Sequence, residues 1–223
     1  MVINMAFAYL KEITDAAQKE QKPFWRIVIE DDMRERNVSY EQSFETMRQM
    51  YHAMKDADMA YDPDLRSASG MVGGDGKKLE EFRKKENRLI GDFLTEVMER
   101  AVKMGESNAC MKRIVAAPTA GSCGVIPAVL LTYEKQKNVT EDKLIEALFV
   151  AAGIGEVIAA SASIAGAEGG CQAEIGSASC MAAAAITYIR GGSTKQVFDA
   201  GAFALKSLLG LVCDPLGGLV EVP

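Results

Sequence analysis

The chain has 223 residues, a formal net charge of −6, and 48% hydrophobic and 25% charged side chains. That balance excludes a wholly disordered chain, leaves ample length for a hydrophobic core without disulfide staples, and disfavours nucleic acid as a partner, because phosphate binding leaves a basic footprint. Five widely spaced cysteines with no CxxC pair and no recognisable signal peptide read as reduced, cytoplasmic thiols, and the single histidine excludes His-rich metal sites.

Charge is uneven along the chain. Residues 1–112 carry most of it, so this half is expected to form amphipathic helices lining the surface, with the second half as the buried centre. Trp25, Val28, Ile29 and Met33 recur at helical spacing. Phe44, Met47, Tyr51 and Met54 do the same behind a capping box of Ser39 and Gln42. An apolar stripe through Phe82, Leu89, Ile90, Phe93, Val97 and Val102 predicts one long helix over Leu79–Met104. Thr140, followed by Glu141 and Asp142, opens a helix to about Ser161. Ser193 and Gln196 form a second capping box before a helix ending near Gly210. Residues 151–185 hold thirteen alanines and six glycines, small enough for helix backbones to approach closely. A membrane span is disfavoured here, since Glu156 interrupts one candidate and Ile175–Ile189 is shorter than the roughly 20 residues a bilayer requires. With no strand alternation, the prediction is a single all-α domain over 1–223, with a central Ala/Gly-rich helical layer and glycine-rich active-site loops.

Four glycine-rich interruptions could carry chemistry. The first, Ser67–Gly76, includes Ser69, Gly70 and Asp75 and is followed by Lys77 and Lys78; hydroxyls, lysines and a helix N-terminus would suit a carboxylate or phosphate. Its glycine spacing and Lys78 do not fit a Walker loop, and a solvated surface turn is an equal reading. The second, Pro118–Pro127, offers Thr119, Ser122 and Cys123 at a helix start, where a thiol pKa is lowered; a small buried thiol is the alternative for Cys123. The third, Gly166–Gly176, contains Glu168, Cys171 and Glu174, and the fourth, Cys213–Gly218, contains Cys213. The separation of Cys171 and Cys213 matches no zinc-finger or ferredoxin spacing. Cys110 and Cys180 read as structural, and His52 as a partly exposed helix residue.

Taken together, SASGMVGGDGKKLE, APTAGSCGVIPAVLL, GAEGGCQAEIGSASCMAAAA and CDPLGGLVEVP resemble the alpha chain of the iron–sulfur-dependent L-serine dehydratases, in that family's order from about Phe24 onward. The resemblance implies an all-helical fold and conversion of L-serine to pyruvate and ammonia with a [4Fe–4S] cluster and without pyridoxal phosphate. It implies Cys171 and Cys213 as cluster ligands, with a third cysteine beyond Pro223, so that the 223-residue chain alone is expected to lack the cluster. It further implies a cytoplasmic enzyme with a separate beta subunit in a higher assembly. Ser67, Ser69, Gly70, Thr119 and Ser122 become candidates for gripping the substrate, and Asp75, Lys77, Glu168 and Glu174 candidates for the base. Two other readings stay open: a non-catalytic helical scaffold or regulatory subunit, and a pyridoxal-phosphate lyase using Lys77 or Lys78.

Overall fold

In the computed structural model, which describes residues 7–210, the chain runs through α1 (Leu10–Glu20), α2 (Phe24–Arg36), α3 (Tyr40–Met59), α4 (Asp75–Arg83), α5 (Asp92–Ala109), a 3-10 turn (Ala120–Ser122), α6 (Val125–Lys137), α7 (Glu141–Ser161), α8 (Gly166–Ile189) and α9 (Thr194–Ser207). No strand occurs among the described residues, as the sequence predicts. Both capping boxes form. Gln42 N donates to Ser39 Oγ at 3.2 Å and Ser39 N to Gln42 Oε1 at 2.9 Å; Ser193 N likewise donates to Gln196 Oε1 at 2.8 Å. Each cap satisfies amides that a helix N-terminus otherwise leaves unpaired, worth about 1 kcal/mol.

The core is built around α7 and α8. Leu144, Ile145, Ala147 and Val150 of α7, with Ala178, Ala184 and Ala185 of α8, are fully buried. Their small residues set the spacing between helices. A Cβ on Gly153 of α7 would lie 2.5 Å from Val28 Cγ2 of α2, and one on Gly201 of α9 would lie 2.9 Å from Cys180 Sγ of α8. The first half of α7 and the second half of α8 therefore form the central layer, while residues 160–169 between them are mostly exposed. Helix α7 is long and apolar enough to cross a bilayer, yet over half of that stretch is buried inside the fold.

On α2, Val28 and Ile29 of the expected stripe are buried and Trp25 and Met33 pack partly buried against the core, with Phe24 and Ile27 joining the inner face. One expectation changes. The single helix expected over Leu79–Met104 is two helices, broken at residues 84–91. The charged run Lys84–Arg88 and Gly91, the N-cap of α5, interrupt it, and Leu89 is fully exposed. The inner face of α5 is also largely polar: Thr95, Glu96, Glu99, Glu106 and Ser107 are buried beside Met104. Cations from other segments match these carboxylates. Lys135 Nζ lies 2.7 Å from Glu96 Oε1, and Arg83 Nε 2.5 Å from Glu99 Oε2. An apolar stripe cannot reveal a face that is buried by pairing charges across helices. His52, exposed, lies 3.0 Å from Glu141 Oε2 and belongs to the cluster at the start of α7 that also includes Arg48.

Candidate active site

Helix α5 anchors both of the first two glycine-rich loops. Near its end, the buried Glu106 carboxylate accepts from Asp75 N at 2.6 Å, Gly76 N at 3.2 Å and Tyr61 Oη at 2.7 Å. These are the leading amides of α4, the groups that Ser67–Gly76 was expected to offer to an anionic ligand. A carboxylate belonging to the protein already occupies them. Burial, followed by the bond to Glu106, pushes the Tyr61 phenol well above its usual range. Nothing in the local sequence marks Glu106, because the partner amides lie about thirty residues earlier.

Within the same loop, Ser67 is buried; its Oγ accepts from Val72 N at 3.2 Å and lies 3.0 Å from Ser69 Oγ. Ser69 is exposed and accepts from Met71 N at 3.2 Å. Gly70 turns the chain with φ +77°, a left-handed conformation that suits glycine. Asp75 and Lys78 are both exposed and pair at 2.7 Å, and Lys77 is exposed as well. The hydrogen bond to Asp75 raises the Lys78 pKa. A Schiff-base lysine needs the reverse, a desolvated amine with a lowered pKa, so this environment weighs against the pyridoxal-phosphate reading.

The second loop lies against the opposite side of α5. Asn108 Nδ2 donates to Ala120 O at 3.1 Å, and a Cβ on Gly124 would come within 2.6 Å of Ala101 O. Thr119 is half-buried and its hydroxyl is 3.2 Å from that of Ser122, which is buried. Cys123 is 1% exposed and contacts Met104 O. Burial pushes its thiol up to about 11, the opposite of the lowering that its position at a helix start suggested. Cys123 is thus a core thiol, as is Cys180, which burial also raises to about 11.

The third glycine-rich segment is helical rather than a loop. It forms the first turns of α8, with a break at Gly170 (φ 72°, ψ 178°) that separates two helical stretches. Cys171 is partly exposed immediately after the break, Glu168 is exposed before it, and Glu174 is partly buried one turn after Cys171. The Glu174 carboxylate connects this segment with the second loop. A Cβ on Gly166 would lie 2.6 Å from Glu174 Oε2, and one on Gly121 would fall closer still to the same oxygen. The structure thus sets Glu174, one turn after Cys171, against the turn that carries Thr119 and Ser122, and holds Ser67, Ser69 and Asp75 on the other side of helix α5. Cys213 lies outside the described residues. Among the described residues no group of three or more metal-ligating side chains is assembled.

A cleft of about 370 Å³ borders the second loop at Pro118 and the entry to α8 at Ile164. Asp31, Asp32, Glu35 and Glu156 line it, with Asp31 paired to Arg34 and Asp32 to Arg36.

The described residues are all-helical, with two glycine-rich loops on opposite sides of helix α5 and the Glu174 carboxylate of α8 against the second of them. Residues 19–223 match the family described as serine dehydratase alpha chain. The chain is 40% identical over 217 residues to the probable L-serine dehydratase, alpha chain, of Bacillus subtilis (strain 168), spanning 97% of this chain and 72% of that relative. It is 36% identical over 216 residues to the L-serine dehydratase, alpha chain, of Peptoniphilus asaccharolyticus, spanning 96% and 73%. It is 48% identical over 124 residues to L-serine dehydratase TdcG of Escherichia coli (strain K12), spanning 55% and 27%. The chain belongs to the serine dehydratase alpha chain family.

Proposed function

We propose that this chain is the catalytic alpha subunit of a cytoplasmic L-serine dehydratase, a lyase converting L-serine to pyruvate and ammonia together with a beta subunit. The observation that carries the reading is the family match over residues 19–223, joined to the meeting of the Thr119–Ser122 turn with the Cys171–Glu174 segment. The printed designation of two relatives as alpha chains supports a partner subunit.

A [4Fe–4S] cluster fits the one implied ligand that the described residues include. Cys171 stands partly exposed at a helix break, where a thiolate can reach a cluster without disrupting the core. Cys171, Cys213 and a further cysteine would hold it, and when bound it supplies Lewis acidity at the substrate hydroxyl. The chain's own residues do the rest. Thr119, the accessible hydroxyl of the second loop, binds the serine carboxylate, and Ser122, buried beneath it, fixes that turn; Ser67, Ser69 and Gly70 shape the loop on the other side of α5. A base drawn from Asp75, Lys77, Glu168 and Glu174, or from the beta subunit, takes the Cα proton as the β-hydroxyl leaves with a proton as water. The resulting 2-aminoacrylate tautomerises to an imine, and water hydrolyses it to pyruvate and ammonia.

The test is anaerobic reconstitution of the full alpha chain with its beta subunit, iron and sulfide, following pyruvate release from L-serine. Wild type is expected to turn over, and Cys171→Ala to lose both activity and cluster absorbance. Undiminished turnover by Cys171→Ala would overturn the ligand assignment.

A further inference from the structure

Glu174 differs from the other acidic groups near the site in being partly buried without an internal cation, whereas Glu35 and Glu168 are exposed. Asp75 is paired with Lys78, Asp31 with Arg34 at 2.7 Å, and Asp32 with Arg36 at 2.5 Å. Among the described residues no hydrogen bond or ion pair engages the Glu174 carboxylate. It is nonetheless partly buried and confined. Its Oε2 lies against the Cα atoms of both Gly121 and Gly166, which belong to different segments, and any side chain at either position would displace it. Neither glycine has a left-handed φ, so the backbone does not require glycine there. What requires it is the space the carboxylate fills.

A confined carboxylate with no internal cation is a ready acceptor for a charged donor. L-serine offers one positive group, its α-ammonium. The position suits that group. Glu174 follows Cys171 by three residues, which places the two on neighbouring points of one helix face, about 5–6 Å apart at Cβ. Across the gap stands the turn carrying Thr119, a candidate for the substrate carboxylate. A zwitterion with its hydroxyl toward Cys171 and its carboxylate toward Thr119 presents its ammonium to Glu174.

We infer that Glu174, held between Gly121 and Gly166, binds the α-ammonium of the substrate and so selects an amino acid over the corresponding hydroxy acid. This rests on the L-serine dehydratase reading above and removes Glu174 from the candidate bases. It also gives Gly121 and Gly166 a role that is steric and electrostatic: they keep the carboxylate in place.

The experiment uses the reconstituted alpha–beta holoenzyme and steady-state kinetics with L-serine. Glu174→Gln keeps the shape and removes the charge. It is expected to raise KM about 10- to 100-fold with kcat changed by less than about threefold, the range for loss of one charged hydrogen bond made equally in ground and transition states. Inhibition by 3-hydroxypropionate, which is serine without its ammonium, should be the same in wild type and variant. Gly121→Ala is expected to leave the thermal midpoint unchanged, because the atom it displaces is the end of a flexible side chain, and to raise KM several-fold. That rise should vanish in the Glu174→Gln background, the sign of a single shared interaction. A collapse of kcat with KM unchanged would make Glu174 the base and overturn the inference. Unaltered kinetics, or an equal loss of 3-hydroxypropionate binding, would overturn it too. Wild-type holoenzyme that fails to deaminate L-serine would instead remove the parent reading, a result distinguishable before any variant is compared.

Discussion

Replacing Glu106 by glutamine changes one atom in a buried carboxylate that accepts three hydrogen bonds, from Asp75 N, Gly76 N and Tyr61 Oη at 2.6, 3.2 and 2.7 Å. The amide keeps one acceptor oxygen but turns an NH2 donor toward groups that are themselves donors. At least one charged hydrogen bond is lost, worth about 1.5–3 kcal/mol, and a donor is left facing a donor. The space cannot relax easily: Gly76 is buried against Lys103, Tyr61 and Glu106, where even a Cβ would come within 2.5 Å of Lys103 Cγ. A loss of about 3 kcal/mol is expected, equivalent to a fall of about 6–12 °C in the thermal midpoint for a domain of this size. Urea denaturation followed by circular dichroism measures it. Stability within about 0.5 kcal/mol of wild type, the usual range for a surface change, would refute the reasoning, because it would mean that the leading amides of α4 are satisfied otherwise. The substitution also bears on function. If Glu106 occupies those amides, the Ser67–Gly76 loop is a shaped support for its accessible hydroxyl at Ser69 rather than an empty anion cradle.

The native Cys123 and Cys180 thiols, each pushed up to about 11 by burial, should resist iodoacetamide at pH 8 and react only on unfolding; mass spectrometry showing rapid native labelling of Cys123 would contradict its place in the core. Burial pulls the Glu96 carboxyl upward, but hydrogen bonds from Lys135, Gln136 and Arg100 and the Lys135 charge outweigh it and hold it down to about 2, below the ordinary 4.5. A folded-state pKa so depressed contributes stability above about pH 4.5 that is lost as pH falls toward 2. Urea midpoints across that window should therefore fall more steeply for wild type than for Glu96→Gln, and parallel curves would count against the network. Gly153→Ala places a methyl 2.5 Å from Val28 Cγ2 and should destabilise by about 1–3 kcal/mol, measured by the same denaturation; an unchanged midpoint would disprove the close approach of α7 to α2.

Much of the local structure was written in short stretches of sequence. Ser39 with Gln42 and Ser193 with Gln196 mark their helix starts because a cap is a contact between residues three apart, and Thr140–Ser161 reads as a helix from its acidic first turn and its length. The alanines and glycines of 151–185 foretold close helix packing, since side-chain volume alone limits how near two backbones come. The four glycine-rich motifs, in their order, carried the resemblance to a family that the comparison over residues 19–223 bears out.

What the sequence could not express depends on partners brought together from far along the chain. The stripe from Leu79 to Met104 looked continuous, yet α5 turns Glu96, Glu99 and Glu106 inward because Lys135, Arg83 and the α4 amides await them there. Cys123 stands at a helix start, where local rules lower a thiol pKa, but packing under α5 buries it and raises the value instead. Glycines 121 and 166 are unremarkable in isolation; only the fold sets Glu174 between them. Composition and short-range pattern determined that the chain is helical, and its glycine-rich motifs placed it in its family. Tertiary structure decided which polar groups are already satisfied and which remain available to a ligand, because burial and pairing are properties of neighbours that the chain order does not name.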